Sequence, residues 1–189
     1  MKTLFLKTAL LLAVVTFFNC SNNDDPQDQL PPITQTGANT FGCIINGEIL
    51  TPKDGRGVPQ AKGLFVAHYS NNNIVFDVGN FKDDNGDSIY IYIYNLTSIG
   101  TYSFGLSTGQ SISTFEPDFN HCWTRTFDTT TGGKKYLSNI NSGTIIITRF
   151  DPINFIISGT FELTTFEEND PNNTIEITDG RFDINWSTI

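Results

Sequence analysis

The chain has 189 residues, with 20 acidic and 11 basic side chains and a formal net charge of −9. An acidic balance of that size disfavours nucleic acid and anionic headgroups as partners. The length suits one domain with an appended segment, and 38% hydrophobic residues are enough for one core. No Walker-type phosphate loop or dinucleotide fingerprint is present, so no nucleotide cofactor is expected.

The first element is a leader. Lys2 and Lys7 precede an uncharged stretch from Thr8 to Phe18. That stretch is far short of the roughly 20 residues a membrane-spanning helix needs, and it has the form of an export signal over residues 1–19. Cys20 follows directly, after Asn19, and this border resembles a bacterial lipoprotein signal. The resemblance implies acylation of Cys20 on sulfur and a new N-terminus there. Acyl chains at about 0.8 kcal/mol per buried CH₂ would hold a soluble domain on a membrane. Loss of Lys2 and Lys7 takes the formal charge from −9 to −11.

Residues 20–39 read as a tether. Ser21 to Pro32 is acidic, proline-bearing and free of aromatics, so it lacks the apolar surface to order itself. Asp24 and Asp25 resemble the surface-export signal of Bacteroidetes lipoproteins; a solvated spacer facing the periplasm is the alternative. The expected address is the outer membrane, on its periplasmic or its outer face.

From Thr40 to Ile189 the chain reads as one all-β domain. Thr, Ile, Phe and Tyr are abundant, and no apolar pattern of helical period is sustained. Asn46-Gly47 inside "GCIINGEIL" is a strong two-residue hairpin signal, and "NNN" (71–73) marks a second hairpin. In "SIYIYIY", Ile89, Ile91 and Ile93 fall on one face and Tyr90, Tyr92 and Tyr94 on the other. Near the end, Phe155, Ile157, Phe161 and Leu163 share a face, as do Ile175 and Ile177, then Phe182, Ile184 and Trp186. Asp179-Gly180 between the last two sets is a hairpin or a bulge. About nine or ten strands without crossover helices predict an antiparallel sandwich, with a closed lipocalin-like barrel as the alternative.

Thr34–Glu48 ("TQTGANTFGCIINGE"), with "IISGTFELT" and "ITDGRFDINW" near the end, resembles a family of uncharacterised Bacteroidetes lipoproteins. That family shares a Thr-Gly-x-Asn-Thr-Phe-Gly-Cys start and an Ile-Ser-Gly-Thr-Phe…Gly-Arg-Phe-Asp finish. The resemblance implies lipid anchoring and an all-β domain, and it carries no activity, being a domain of unknown function.

The remaining candidates are local. Cys43 and Cys122, an even pair outside the cytoplasm, are read as a disulfide, worth roughly 4 kcal/mol for a loop of about 80 residues in the chain-entropy model. Two buried free thiols are the alternative. "GLSTG" matches a nucleophile elbow around Ser107, but no helix follows it; a hydrolase there requires His68 or His121 within reach of its hydroxyl. Asp83, Asn85 and Asp87 could offer oxygens to calcium, or could cap their own turn. Two histidines without a third ligand make a zinc site a poor fit. Tyr90, Tyr92 and Tyr94, with Trp123, could stack on sugar rings, or could cover a half-buried sheet face. Asp87-Ser88-Ile89 and Asp128-Thr129-Thr130 resemble the O-glycosylation sequence of Bacteroidetes exported proteins.

With no paired acid and base, the expected role is a non-enzymatic binding or structural module, membrane-held through Cys20, for a glycan, a peptide or an envelope partner. A small-molecule carrier and, more remotely, a serine hydrolase at Ser107 are the alternatives.

Overall fold

The structure, a computed structural model, describes residues 29–82, 86–111, 116–128, 130 and 132–189. The described residues form ten strands and no helix: β1 (Thr40–Ile45), β2 (Glu48–Leu50), β3 (Leu64–His68), β4 (Ile74–Gly79), β5 (Ser88–Ile93), β6 (Gly100–Ser103), β7 (His121–Asp128), β8 (Gly132–Asp151), β9 (Ile156–Glu167) and β10 (Asp170–Asn185). Every strand pairing is antiparallel.

All ten belong to one sheet in the order β2-β1-β10-β9-β8-β7-β5-β4-β3, with β6 paired to the later half of β8, at Thr144 to Ile147. The sheet curls until its two ends face each other. Phe76 on β4 lies 4.8 Å from Phe182 on β10 and 6.3 Å from Phe41 on β1, ring centre to ring centre. Ile89, Ile91 and Ile93 of β5, Ile145 and Ile147 of β8, and Ile157 of β9 join them in one core. The all-β expectation holds, with the layering produced by a single curled sheet, a half-barrel. Among the described residues no ladder joins β2 to β3; the chain after β2 instead crosses to the end of β4, where Lys53 bridges Asn80.

Turn chemistry explains the corners. Asn46 (φ 50°) and Gly47 (φ 89°) both take positive φ, as a type I′ hairpin requires. Asn72 (φ 62°) turns the chain between β3 and β4. Asp179-Gly180 is a bulge inside β10: Asp179 sits at φ 53°, and the β9–β10 register slips between Ile177 and Gly180. The β8–β9 register slips at a neighbouring position, between Ser138 and Gly143. Extra residues on adjacent long strands bend the sheet there, which lets β3, β4 and β5 fold over β1 and β10.

The tether expectation needs shortening. Residues 30–39 are a strap packed on the sheet. Gly42 makes room for it, since a Cβ there would lie 2.6 Å from the Pro31 ring. The expected disulfide is also corrected: Cys43 and Cys122 are free thiols in the core, both 0% exposed. Burial pushes both thiols well above their usual range, and for Cys122 the nearby Cys43 adds to the effect. They behave as small apolar side chains that fill the interior.

Candidate functional site

The outer face of β4, β5 and β7 carries the tyrosines singled out by sequence. Register puts Tyr90 opposite Trp123 and Tyr92 opposite His121. The Tyr90 and Trp123 rings stack at 5.1 Å and 6°, and His121 stacks at 5.2 Å on Tyr92 and 5.8 Å on Tyr90. This row is not open to solvent. Tyr90 is 3% exposed and Tyr92 0%; only Tyr94, beyond the end of β5, is well exposed. The segment following β6 crosses here, and its backbone caps the polar tips. Tyr92 donates its hydroxyl to Pro117 O (3.0 Å), and Trp123 Nε1 donates to Gln110 O (3.0 Å). Burial, with Glu116 nearby, pushes the Tyr92 phenol up to about 12. Trp123 is flanked by Tyr90 from β5 and by the Lys135 ammonium, 5.2 Å from its ring centre, from β8. The aromatic row is therefore a second small core with Val75 and not a flat stacking platform.

Ser107 belongs to the same crossing segment, which brings it to His121. Ser107 Oγ and His121 Nδ1 are 3.3 Å apart, and Gly109 N–H donates to Ser107 Oγ at 3.1 Å. The geometric condition set for a hydrolase is thus met at one contact. The surroundings do not extend it: Ser107 is 2% exposed and His121 0%, so both side chains are covered. Among the described residues His121 Nε2 has no hydrogen-bond partner, so none of their carboxylates orients the ring as a triad would require. Burial holds the imidazole neutral, its pKa lowered to about 4. The pair fastens the crossing segment to the sheet.

The other candidates separate in space. Asp87 accepts from Phe127 N–H at 2.9 Å, and burial raises its carboxyl despite that bond. Asp83 and Asn85 lie outside the described residues, as do Cys20 and Thr129. Among the described residues no three His, Cys, Asp or Glu side chains stand close enough to hold a metal. His68 packs 5.1 Å from Trp186 at the end of the curl, its pKa lowered by burial. Ser88, the hydroxyl of the first glycosylation-like triplet, lies inside β5 at 8% exposure.

Sequence reasoning missed the most elaborate polar site. The Asp183 carboxylate, 1% exposed on β10, accepts from Thr34 Oγ1 (2.6 Å), Thr36 N–H (2.8 Å), Gly37 N–H (2.7 Å), Ala38 N–H (3.2 Å) and Ser158 Oγ (2.8 Å). Burial alone would raise this carboxyl, but the converging donors outweigh it and hold it well below the usual carboxylate range. Its sequence signal is only the coincidence of "TQTGA" (34–38) with "GRFD" (180–183), far apart in the chain. Shallow hollows also mark the surface formed by the described residues. One of about 410 Å³ lies between the strap root (Leu30, Pro31) and Phe41 and Pro52. Two of about 250 and 310 Å³ meet at Glu162 on the outer face of β8, β9 and β10. Compared with family models, with curated proteins and with solved structures, the chain matches none.

Proposed function

We propose that this is a lipid-anchored protein of the bacterial cell envelope, held at the outer membrane through Cys20 and acting without catalysis, as a binding or structural module for a glycan, a peptide or an envelope partner. The observation that carries the reading is the clasp at Asp183. It roots the chain that leads back to Cys20 into the last strand of the sheet, so a load on the anchor reaches the whole domain. The leader of residues 1–19 and the acidic, proline-bearing residues that follow it support the same address. The closed setting of Ser107 and His121 favours a non-enzymatic role over a hydrolase. The carrier alternative asks for a ladder around an apolar cavity, whereas the space between β4 and β10 is filled by Phe41, Phe76 and Phe182.

The test of the anchor is Cys20→Ala. The variant is expected to move from the membrane to the soluble fraction and to lose radioactive palmitate label; unchanged fractionation refutes the anchor. A glycan and envelope-protein binding screen on residues 29–189 then addresses the partner.

A further inference from the structure

Backbone parity decides which groups on the edge strand β3 are free. Gly79 N–H donates to Gly63 O at 2.8 Å, and Tyr69 N–H donates to Asn73 O at 2.9 Å. Residues 63 and 69 therefore face β4, and the alternation of an antiparallel ladder puts Phe65 and Ala67 on the same side. Leu64, Val66 and His68 direct their N–H and C=O groups the other way. β3 ends the strand order, and among the described residues nothing pairs with those groups.

Sheet edges are ordinarily guarded by brevity, charge, proline or a bulge. The opposite edge, β2, has three residues, begins at Glu48 and is followed by Pro52. β3 has five residues, Leu-Phe-Val-Ala-His, with no lysine, acid, proline or bulge. Its outer face carries Phe65 at 49% exposure, and the Phe81 ring, itself 36% exposed, lies over Gly79 nearby.

We propose that β3 is a self-association edge, through which two copies of this chain pair antiparallel about a twofold axis at Val66. The strand's own pattern supplies the argument for a second copy as occupant. With Val66 on the axis, Leu64 meets His68 of the other copy, and all three outward-facing positions fall into hydrogen-bonded pairs, roughly six backbone bonds in all. On the outer face Phe65 falls opposite Ala67, the largest side chain of the strand against the smallest, so the exposed ring gains cover without a clash. The chain carries a net charge of −9, yet this edge sets no like charges against each other. One short strand pair buries less than the roughly 1,200 Å² of a stable interface, so the dimer is weak and transient. The inference stands whether or not Cys20 is acylated.

Sedimentation velocity tests it on the full chain carrying Cys20→Ala, expressed for export and purified from the soluble fraction. A concentration-dependent monomer–dimer equilibrium is expected. Phe65→Lys brings two ammonium groups together near the axis, while Leu64→Pro removes an outward N–H that β4 does not use. Each is expected to weaken the dimer at least about tenfold with an unchanged circular dichroism spectrum. A chain that stays monomeric up to about 1 mM, the weak end of measurable association, overturns the proposal. A dimer indifferent to both variants, or one weakened by Phe65→Lys alone, overturns it as well.

Discussion

Asp183 on the last strand holds the backbone N–H of Thr36, 147 residues earlier in the chain, at 2.8 Å. One buried carboxylate thereby closes the domain end to end. Three backbone amides and three hydroxyls converge on it, because Thr36 Oγ1 adds a contact at 3.2 Å to those of Thr34 and Ser158.

Asp183→Asn keeps the shape but replaces an acceptor oxygen with a donor that faces other donors. Leaving buried donors unsatisfied costs about 1–3 kcal/mol each, so a loss of at least about 3 kcal/mol is expected in urea denaturation. Limited proteolysis is expected to cut within residues 30–39 in the variant and to spare them in the parent. Equal protection in both would show that strap packing on Gly42, and not the carboxylate, secures this segment.

His121 makes stability depend on pH. Its folded-state pKa of about 4 lies below its ordinary value of 6.5, so between those values the unfolded chain binds the extra proton. Stability is therefore full above about pH 6.5 and falls as pH drops toward 4, by up to about 3 kcal/mol. His68, also lowered by burial, adds in the same direction. Asp183 is depressed instead, so its contribution is lost at still lower pH, as the carboxyl takes up a proton. His121→Phe retains the ring between Tyr90 and Tyr92 but cannot titrate. Chemical denaturation at pH 5 and pH 7 is expected to show a smaller difference in the variant than in the parent.

Gly159 lies on β9 where strands approach closely. A Cβ there would sit 2.2 Å from Ile146 O, a backbone atom that cannot step aside. Gly159→Ala is expected to destabilise by several kcal/mol or to prevent folding. At Gly133 the nearest atom would be 3.4 Å away, an ordinary contact with Phe127, so Gly133→Ala is expected to change the midpoint little. Thermal unfolding of the two variants side by side makes the comparison.

Cys43 and Cys122 are expected to resist alkylation in the native protein and to react fully in denaturant without a reductant, since both are buried thiols pushed above their usual range. A linked peptide in a non-reducing digest would restore the disulfide.

The amino-acid sequence alone was enough for the strand content, the Asn46-Gly47 hairpin and the faces of β5, β9 and β10. Side-chain alternation and turn residues act over a few positions, and so they are readable in one dimension. Sequence left Asp179-Gly180 open between hairpin and bulge, because both keep Ile177 and Phe182 on the same side; only the neighbouring register on β9 decides for the bulge. Sequence left the tyrosine face between a stacking platform and a half-buried sheet face, because alternation says which side a ring takes, not what crosses above it. Burial of Tyr90 and Tyr92, the meeting of Ser107 with His121, the reduced state of the two cysteines and the clasp at Asp183 all join distant parts of the chain. Those contacts exist only once the sheet has curled, and tertiary packing alone chose them.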